Sequence, residues 1–327
     1  MKKQLITALI MAISINSTIA QLPKDYEVAT WLDFKKSAVT YSFDDGTPNQ
    51  LPIAVPLLNK YGFKASFNLV IDWVKDWNDW KQITNNGHEI ASHTITHANF
   101  GQISEEQQRK ELETAKQIIE EKIGKPCITF VYPYCARGND NIVAEYYISA
   151  RTCDRHVAKA TPENMFDITS VCVGAETDVQ KADDFNKWVK NGVIENGWLT
   201  FLIHAIDNDG GYSSISSTEF DNHLKFVSEN QNDYWVATFA EVSKYILERN
   251  SLSIKEKKVS NGYEIEVMVS AQSKITKFDQ PLTIKRSLPK KWTSAKVTNS
   301  KGEINSRIEN NKLIFNIIPG EKYTITE

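Results

Sequence analysis

Short β-like segments alternate with helical segments between residues 39 and 250, and this alternation constrains the fold more than any other feature. A helix begins after Ser104, where Gln107 completes a capping box, and it ends at Gly124. Strands that alternate with helices predict a parallel sheet or barrel covered by helices, with the chemistry at the carboxyl ends of the strands. The predicted strands, rich in β-branched and aromatic residues, are residues 39–43, 65–70, 128–132, 147–151, 168–173, 199–203 and 235–238.

The pattern changes near residue 251, where apolar and polar residues begin to alternate with a period of two. This predicts a small all-β, sandwich-like domain at residues 251–327 after a catalytic domain at residues 21–250. The β domain holds 14 Lys and Arg against 8 Asp and Glu, whereas residues 21–250 hold 22 against 33. It contains no evident catalytic cluster, so we interpret it as a structural or docking domain, with carbohydrate binding as the alternative. Its predicted strands are residues 263–269, 282–284, 295–298, 313–318 and 323–325, with hairpin turns at 299–302 and 309–311.

Residues 1–20 have the features of a secretory signal peptide. Lys2 and Lys3 precede a short apolar stretch, and Ala20 supplies the small residue before a cleavage point. The stretch is too short to span a bilayer, so we expect a secreted or periplasmic protein without a membrane span. The net charge of -3 gives no support to nucleic-acid binding.

The four cysteines lie at positions 127, 135, 153 and 172. In an oxidising compartment an even number favours disulfides, and four cysteines allow three pairings, with buried free thiols as the alternative. Cys135 and Cys153 each follow the end of a predicted strand. If those two strands are parallel neighbours, their ends lie close enough for a disulfide, so we predict this pair.

Carboxylates and histidines also follow predicted strands. Asp44 and Asp45 end the first strand; a turn is the simplest interpretation, although adjacent buried carboxylates need partners. His93 and His97 are four residues apart, so a helical turn would place both rings on one side. His204 ends a further apolar strand. Two imidazoles and a carboxylate suit zinc and leave its fourth coordination position open for water. All these strand ends can meet at the same end of the sheet, and so in one site.

Two other segments have simpler interpretations. Trp73, Trp77 and Trp80 recur at roughly helical spacing, which is more typical of a core than of a sugar-binding rim. Residues 207–212 follow His204 directly but lack the downstream glutamate of a calcium loop, so we interpret them as a loop that lines the site.

In these segments the chain resembles the polysaccharide deacetylase family, carbohydrate esterase family four. Residues 42–46 (Ser-Phe-Asp-Asp-Gly) are similar to its first motif, and residues 92–97 to its second. Residues 132–134 match the core of its third motif, and residues 202–204 its last. The resemblance covers about residues 37–247 and implies a distorted (β/α) barrel with an open, groove-like site.

The resemblance also implies a metal site. Asp45, His93 and His97 would bind one divalent ion, with zinc preferred and cobalt or nickel as alternatives.

It further implies catalytic roles for the remaining motif residues. Asp44 would be the general base and His204 the general acid. The backbone N–H of Tyr134 would help to stabilise the oxyanion, and Tyr132 and Pro133 would support the substrate side of the same motif.

Two positions depart from the family pattern. Val131 stands where the family has an arginine that steadies the catalytic aspartate, and either Arg151 or Arg137 could replace it. The fourth motif, an aspartate followed by a tryptophan, has only a weak match in the aspartates at 183–184 ahead of Trp188.

The sequence therefore predicts metal-dependent hydrolysis of N- or O-acetyl groups on a carbohydrate. The alternatives are a deacylase of a small non-carbohydrate amide and a catalytically inactive glycan-binding protein. Asp44 and His204 argue against the inactive protein, because a pure binder needs neither residue.

Overall fold

The computed structural model describes residues 22–271, 273 and 275–327, so the predicted signal peptide lies outside the described residues. Within these ranges, no helix is long and apolar enough to cross a bilayer. The strands of the first part are β1 (Tyr26–Val28), β2 (Ser37–Asp44), β3 (Ser66–Leu69), β4 (Glu89–Ser92), β5 (Thr129–Val131), β6 (Ser149–Arg151), β7 (Val171–Cys172), β8 (Trp198–Ile203) and β9 (Tyr234–Val236). The helices are α1 (Val55–Lys60), α2 (Asn78–Asn85), α3 (Glu105–Ile123), α4 (Asp140–Tyr146), α5 (Ala182–Glu195), α6 (Ser217–Glu229) and α7 (Phe239–Asn250).

Eight parallel strands form one curled sheet with the helices around it. Their order is β6-β5-β4-β3-β2-β8-β7, and β9 also pairs with β2. Every residue of β2 and β8 is buried, as expected for strands covered on both faces. The predicted distorted barrel is confirmed, and so is the long helix: Ser104 and Gln107 form the capping box of α3, and Gly124 ends it at a φ of 79°.

Two antiparallel sheets make up the C-terminal part, in agreement with the predicted sandwich. One has the order β10-β11-β17-β13-β14, and the other β1-β12-β16-β15. The second sheet takes its edge strand from the beginning of the described chain, since Tyr26 of β1 pairs with Arg286 of β12. The strands are β10 (Leu252–Val259), β11 (Gly262–Val269), β12 (Leu282–Ser287), β13 (Lys296–Asn299), β14 (Gly302–Ile304), β15 (Ser306–Glu309), β16 (Lys312–Ile317) and β17 (Lys322–Thr326).

One apolar core connects the base of the barrel to the two sheets. Trp31, Trp198 and Tyr245 lie in this core together with the inward-facing residues of β11 and β12. Arg249, at the end of α7, donates a hydrogen bond to the carbonyl oxygen of Thr30 and so fastens the segment after β1 to the last helix. The domain boundary at residue 250 remains a prediction, and the packing across it is extensive.

Candidate active site

Three side chains that could hold a metal ion, Asp45, His93 and His97, meet at the carboxyl ends of β2 and β4. Oδ1 of Asp45 lies 3.6 Å from Nε2 of His93 and 3.7 Å from Nε2 of His97. One ligand atom from each residue falls within 4.8 Å of the others. Oδ1 of Asp45 is buried, and no hydrogen-bond partner for it exists among the described residues. A carboxylate, two imidazoles and an orphaned buried oxygen fit a divalent cation.

The electrostatics of the cluster also favour a cation. Burial, followed by the neighbouring charge of Asp44, raises the pKa of Asp45 to about 7 against the opposing effect of Arg151. Burial lowers the pKa of His93 to about 4, so that its ring is neutral at physiological pH. Nδ1 of His93 lies 2.9 Å from the carbonyl oxygen of Val131. When Nδ1 donates to that carbonyl, the lone pair of Nε2 faces the cluster.

The residues around the cluster have unusual backbone conformations. Asp45, Thr94, His97 and Tyr134 have φ values of 74°, 71°, 60° and 56°, all in the left-handed region. Each such non-glycine residue costs about 1–3 kcal/mol and persists only where the surroundings hold it. The helical turn considered for residues 93–97 does not form: the segment is an irregular bend, and its left-handed residues bring the two ring centroids to 4.8 Å.

Glu111 of α3 holds this bend in place. Its carboxylate accepts hydrogen bonds from the backbone N–H of Ile95 at 2.7 Å and of Thr96 at 3.1 Å. It also accepts one from the hydroxyl of Thr96 at 2.9 Å. The sequence analysis missed Glu111 because nothing near it in the chain marks a contact 15 or 16 residues away.

Asp44 is buried and both of its carboxylate oxygens are bound. Oδ1 accepts a hydrogen bond of 2.7 Å from Nδ2 of Asn68, and Oδ2 contacts Nη2 of Arg151. Burial tends to raise the pKa of Asp44, but the charge of Arg151, followed by those of His93 and His204, outweighs it and lowers the pKa. Asp44 is therefore an oriented, ionised carboxylate. Asn68 was also missed, although a polar residue inside the apolar strand β3 is a signal that could have found it.

Arg151 is the arginine that contacts Asp44. It lies in register with Val131 on the neighbouring strand, so the guanidinium comes from one strand further along the sheet than in the family pattern. Its side chain is fully buried, and Nη1 donates to the hydroxyl of Ser170 at 2.9 Å. Arg137 instead pairs with two surface carboxylates, Asp140 at 2.5 Å and Asp167 at 2.6 Å.

His204 follows β8 and faces the same mouth. Its carbonyl oxygen accepts hydrogen bonds from Oγ1 of Thr47 at 3.0 Å and from Nε2 of Gln50 at 3.1 Å, which fix the backbone. Burial lowers the pKa of His204, and the charge of Asp44 opposes this effect. Nδ1 of His204 is buried and has no hydrogen-bond partner among the described residues.

The weak match to the fourth motif has a structural role. Asp184 accepts a hydrogen bond of 3.1 Å from the backbone N–H of Lys181 and lies 3.3 Å from the ammonium of Lys187. It therefore caps helix α5 and does not orient His204.

A tight turn, Pro133–Cys135, carries Tyr134 into the mouth of the site. The Tyr134 side chain is 67% exposed, and its ring centroid lies 4.5 Å from that of His97. Pro133, the first residue of the turn, and the preceding Tyr132 are buried and support it. The predicted disulfide between Cys135 and Cys153 is confirmed, with a Cα–Cα distance of 5.8 Å. The other two cysteines, Cys127 and Cys172, are free.

Exposed aromatic rings border the cluster on two sides. Trp73 is 50% exposed and its ring centroid lies 5.0 Å from that of His97. Tyr212 is 56% exposed and stands edge-on to His204 at 5.1 Å, so the loop at residues 207–212 lines the site as predicted. The expected core position is confirmed for Trp80, which is buried, but is wrong for Trp73.

Comparisons with known proteins agree with this geometry. The profile of the family described as polysaccharide deacetylase matches residues 32–148. Gellan lyase from a Bacillus species is 26% identical over 295 residues, which cover 84% of this chain and 12% of the relative. Peptidoglycan-N-acetylglucosamine deacetylase from Bacillus cereus is 26% identical over 128 residues, which cover 32% of this chain and 46% of the relative. The chain thus spans less than half the length of either relative.

A solved structure described as a polysaccharide deacetylase from Mycobacterium smegmatis has a similar fold. Its TM-score is 0.52 at 16% identity, and the match covers 66% of this chain and 92% of that chain. The similarity to gellan lyase extends into the C-terminal sheets, because 84% of the chain is more than the 250 residues that precede them. The matching profile and the four motifs at the strand ends agree: the chain is similar to the polysaccharide deacetylase family, whose profile matches residues 32–148.

Proposed function

We propose that this protein is a metal-dependent deacetylase that removes N- or O-acetyl groups from an acetylated glycan. The observation that carries the proposal is the cluster of Asp45, His93 and His97 beside an ionised Asp44 and facing His204. A set of ligands for one metal ion, a carboxylate base and an imidazole lie together at one open site, and this combination suits the hydrolysis of an acetyl amide or ester.

Asp45, His93 and His97 are the residues that would hold the metal, and zinc suits their donor atoms best. A bound divalent ion supplies Lewis acidity, which acidifies water and polarises an acetyl carbonyl. Asp45 offers its orphaned Oδ1, while the two histidines offer Nε2 atoms 3.6 and 3.7 Å from it.

Asp44 acts as the general base in the proposed mechanism. Its charge is stabilised by Arg151 and by the amide of Asn68, so the carboxylate is ionised at neutral pH and points in one direction. It accepts a proton from the attacking water. Because Arg151 and Asn68 occupy fixed positions, the carboxylate does not need to reorient during the step.

Tyr134 acts on the oxyanion of the acetyl group in the proposed mechanism, and His204 acts on the departing nitrogen or oxygen. The backbone N–H of Tyr134 donates a hydrogen bond to the oxyanion of the tetrahedral intermediate. His204 gives a proton to the departing nitrogen or oxygen, for which its ring must first be protonated. The negative charge of Asp44 favours that protonated form, and burial opposes it.

The aromatic border favours a glycan over a small non-carbohydrate amide. Trp73, Tyr134 and Tyr212 are each at least half exposed on the rim of the site. Sugar rings present apolar faces that pack well on aromatic side chains, whereas a small amide would leave these rings bare. The name of the Bacillus cereus relative, a deacetylase of N-acetylglucosamine in peptidoglycan, supports a carbohydrate substrate as well.

The proposed site of action is outside the cytoplasm. The signal-peptide features of residues 1–20 support export, and a disulfide between Cys135 and Cys153 is typical of an oxidising compartment.

A panel of acetylated glycans and one small chromogenic acetyl ester test the proposal. We expect acetate release from at least one glycan, loss of that release with a chelator, and recovery with zinc. The Asp44→Asn variant serves as the matched inactive control. Acetate release from small amides but from no glycan would favour the deacylase, and glycan binding without acetate release would favour the inactive binder.

A further inference from the structure

The Cys135–Cys153 disulfide connects two residues of the proposed mechanism. Cys135 directly follows Tyr134, whose N–H stabilises the oxyanion, and Cys153 lies two residues after Arg151, which holds Asp44. We propose that this disulfide is a positioning element of the active site, which fixes the oxyanion donor relative to the general base. This inference rests on the function proposed above.

The backbone contacts between these two segments end just below the disulfide. Val131 and Arg151 are the last register pair of β5 and β6, and the N–H of Tyr132 still donates to the carbonyl of Arg151 at 3.2 Å. Beyond that point, no hydrogen bond between residues 133–136 and 152–155 exists in the part of the chain that the structure describes. The disulfide, with its Cα–Cα distance of 5.8 Å, is the link between them there.

The turn itself needs an external restraint. Tyr134 and Cys135 are consecutive non-glycine residues with φ values of 56° and 57°. L-residues rarely adopt this conformation, and it persists where neighbouring structure leaves no alternative. The side chain of Tyr134 is 67% exposed, so it contributes little packing of its own. The buried ring of Pro133 restrains the start of the turn, and the disulfide restrains its end.

The backbone that carries the metal ligands is held by other contacts. Asp45 follows β2, while His93 and His97 follow β4, and the bend that carries both histidines is held by Glu111. Opening the disulfide should therefore leave metal binding intact and move chiefly Tyr134, whose ring contacts His97, and the segment after Arg151. A shift of about 1 Å in a reacting group can lower turnover by about 10²-fold.

The test compares the double variant Cys135→Ser/Cys153→Ser with the wild-type protein. We expect one bound metal per chain in both, a kcat lower by about tenfold to a hundredfold in the variant, and a KM that changes little. Cys172→Ser, which removes a free half-buried thiol, is the matched control and should behave as the wild type. A kcat within twofold of the wild-type value in a folded, metal-loaded double variant would overturn the proposal.

A second variant separates positioning from simple stabilisation. Asparagine adopts the left-handed region more readily than serine, so Cys135→Asn/Cys153→Ser should recover kcat by several-fold over the serine pair. Equal kcat values in the two variants would contradict the positioning role, because lost stability alone would slow both equally. If neither variant folds, the bond is opened in the folded wild type with a water-soluble phosphine, and kcat and metal content are measured there.

Amide hydrogen exchange measures the mobility of the turn directly, so it tests the positioning role without relying on the proposed function. Exchange across residues 133–137 should be faster in the serine pair than in the wild type, while residues 93–97 should be unchanged. A wild-type protein without turnover on any acetylated substrate would refute the proposed function. Unchanged exchange at residues 133–137 would refute the positioning role, whether or not the wild type has turnover.

Discussion

Arg151 and Asp44 form a buried ion pair that joins strands β6 and β2 across the mouth of the barrel. Arg151→Ala should lower kcat by about 10²-fold or more, because it removes the charge that keeps Asp44 ionised. Without Arg151 the pKa of Asp44 rises, so the loss of kcat at acidic pH should move to higher pH. The measurement is a pH profile of kcat, and Arg137→Ala, which removes the other candidate arginine, should leave the profile unchanged.

Adding Val131→Arg to the Arg151→Ala variant provides a sharper control. Val131 and Arg151 are in register on adjacent strands, so their side chains lie on the same face of the sheet. The relocated arginine should restore part of the lost turnover. A folded double variant with no recovery would show that the position of the guanidinium, and not its charge alone, determines activity.

Asp44→Asn should keep the metal and lose turnover. The amide has nearly the same shape as the carboxylate but cannot accept the proton, and general-base contributions are typically about 10²–10⁴-fold. Metal content by elemental analysis and kcat should be measured on the same sample. Asp45→Asn is the matched variant and should lose metal as well as activity. A metal-free Asp44→Asn protein would mean that the roles of the two aspartates are exchanged.

His93→Ala should lose both metal and activity. Its Nε2 is one of two imidazole donors, and with it gone the ligand set falls to Asp45 and His97. Elemental analysis after dialysis against zinc measures the metal, and His156→Ala, at an exposed histidine, is the control. Full activity of demetallated His93→Ala would refute the proposed metal site.

Acid should destabilise the fold through His223. This histidine is fully buried between the hydroxyl of Tyr41 at 2.9 Å and the side-chain oxygen of Asn186 at 2.8 Å, and burial lowers its pKa from 6.5 to about 3. Between these two values the unfolded chain binds more protons than the folded one, so the free energy of unfolding falls as the pH falls. The largest slope from one such group is about 1.4 kcal/mol per pH unit.

Denaturant unfolding of the chelator-treated protein between pH 7 and pH 4 would measure this slope. His223→Gln should be less stable at pH 7 but should have a smaller slope. His156→Gln, at an exposed position, should keep the wild-type slope. Equal slopes in all three proteins would contradict the assignment to His223.

A chain that ends at residue 250 should keep its chemistry but lose stability. All proposed metal ligands and catalytic residues lie before Ala205, and the lining loop at residues 207–212 is kept, so turnover on a small acetyl ester should persist per folded molecule. Removal of residues 251–327 exposes Val242, Tyr245 and Ile246 of α7, and each buried apolar side chain stabilises by about 1.5–3 kcal/mol. Thermal unfolding followed by circular dichroism should show a lower midpoint.

Two other outcomes of the truncation have distinct meanings. A well-folded, metal-loaded truncation without turnover on the small ester would mean that the C-terminal sheets complete the site. Loss of activity on polymeric substrate alone would instead support glycan binding by the sheets.

The candidate site was predictable where its signals are local in the chain. Asp44, Asp45 and His204 end strands whose apolar composition is visible in the sequence, and parallel strands bring their carboxyl ends together. The resemblance to a family then assigned roles to them. The pairing of Cys135 with Cys153 followed from the same reasoning, because both lie just beyond strands that were expected to be neighbours.

The supporting residues were not predictable, because their partners are distant in sequence. Arg151 lies 107 residues from Asp44, and only the register of β5 and β6 distinguishes it from Arg137. Asn68 and Glu111 likewise act through tertiary contacts. The spacing of His93 and His97 also suits a helical turn, but the hydrogen bonds of Glu111 stabilise left-handed residues there instead.

The pairing of β1 with β12 has a consequence for the order of folding. Tyr26 and Arg286 are separated by 260 residues. The edge strand β1 therefore cannot pair with β12 until the residues up to Arg286 have been synthesised. Contacts between such distant residues form slowly, whereas the barrel strands from β2 to β6 each pair with a neighbour much closer in sequence. We therefore expect the half of the barrel from β2 to β6 to form early and β1 to dock late, so that the last step of folding ties the segment before the barrel to the sheets that follow it.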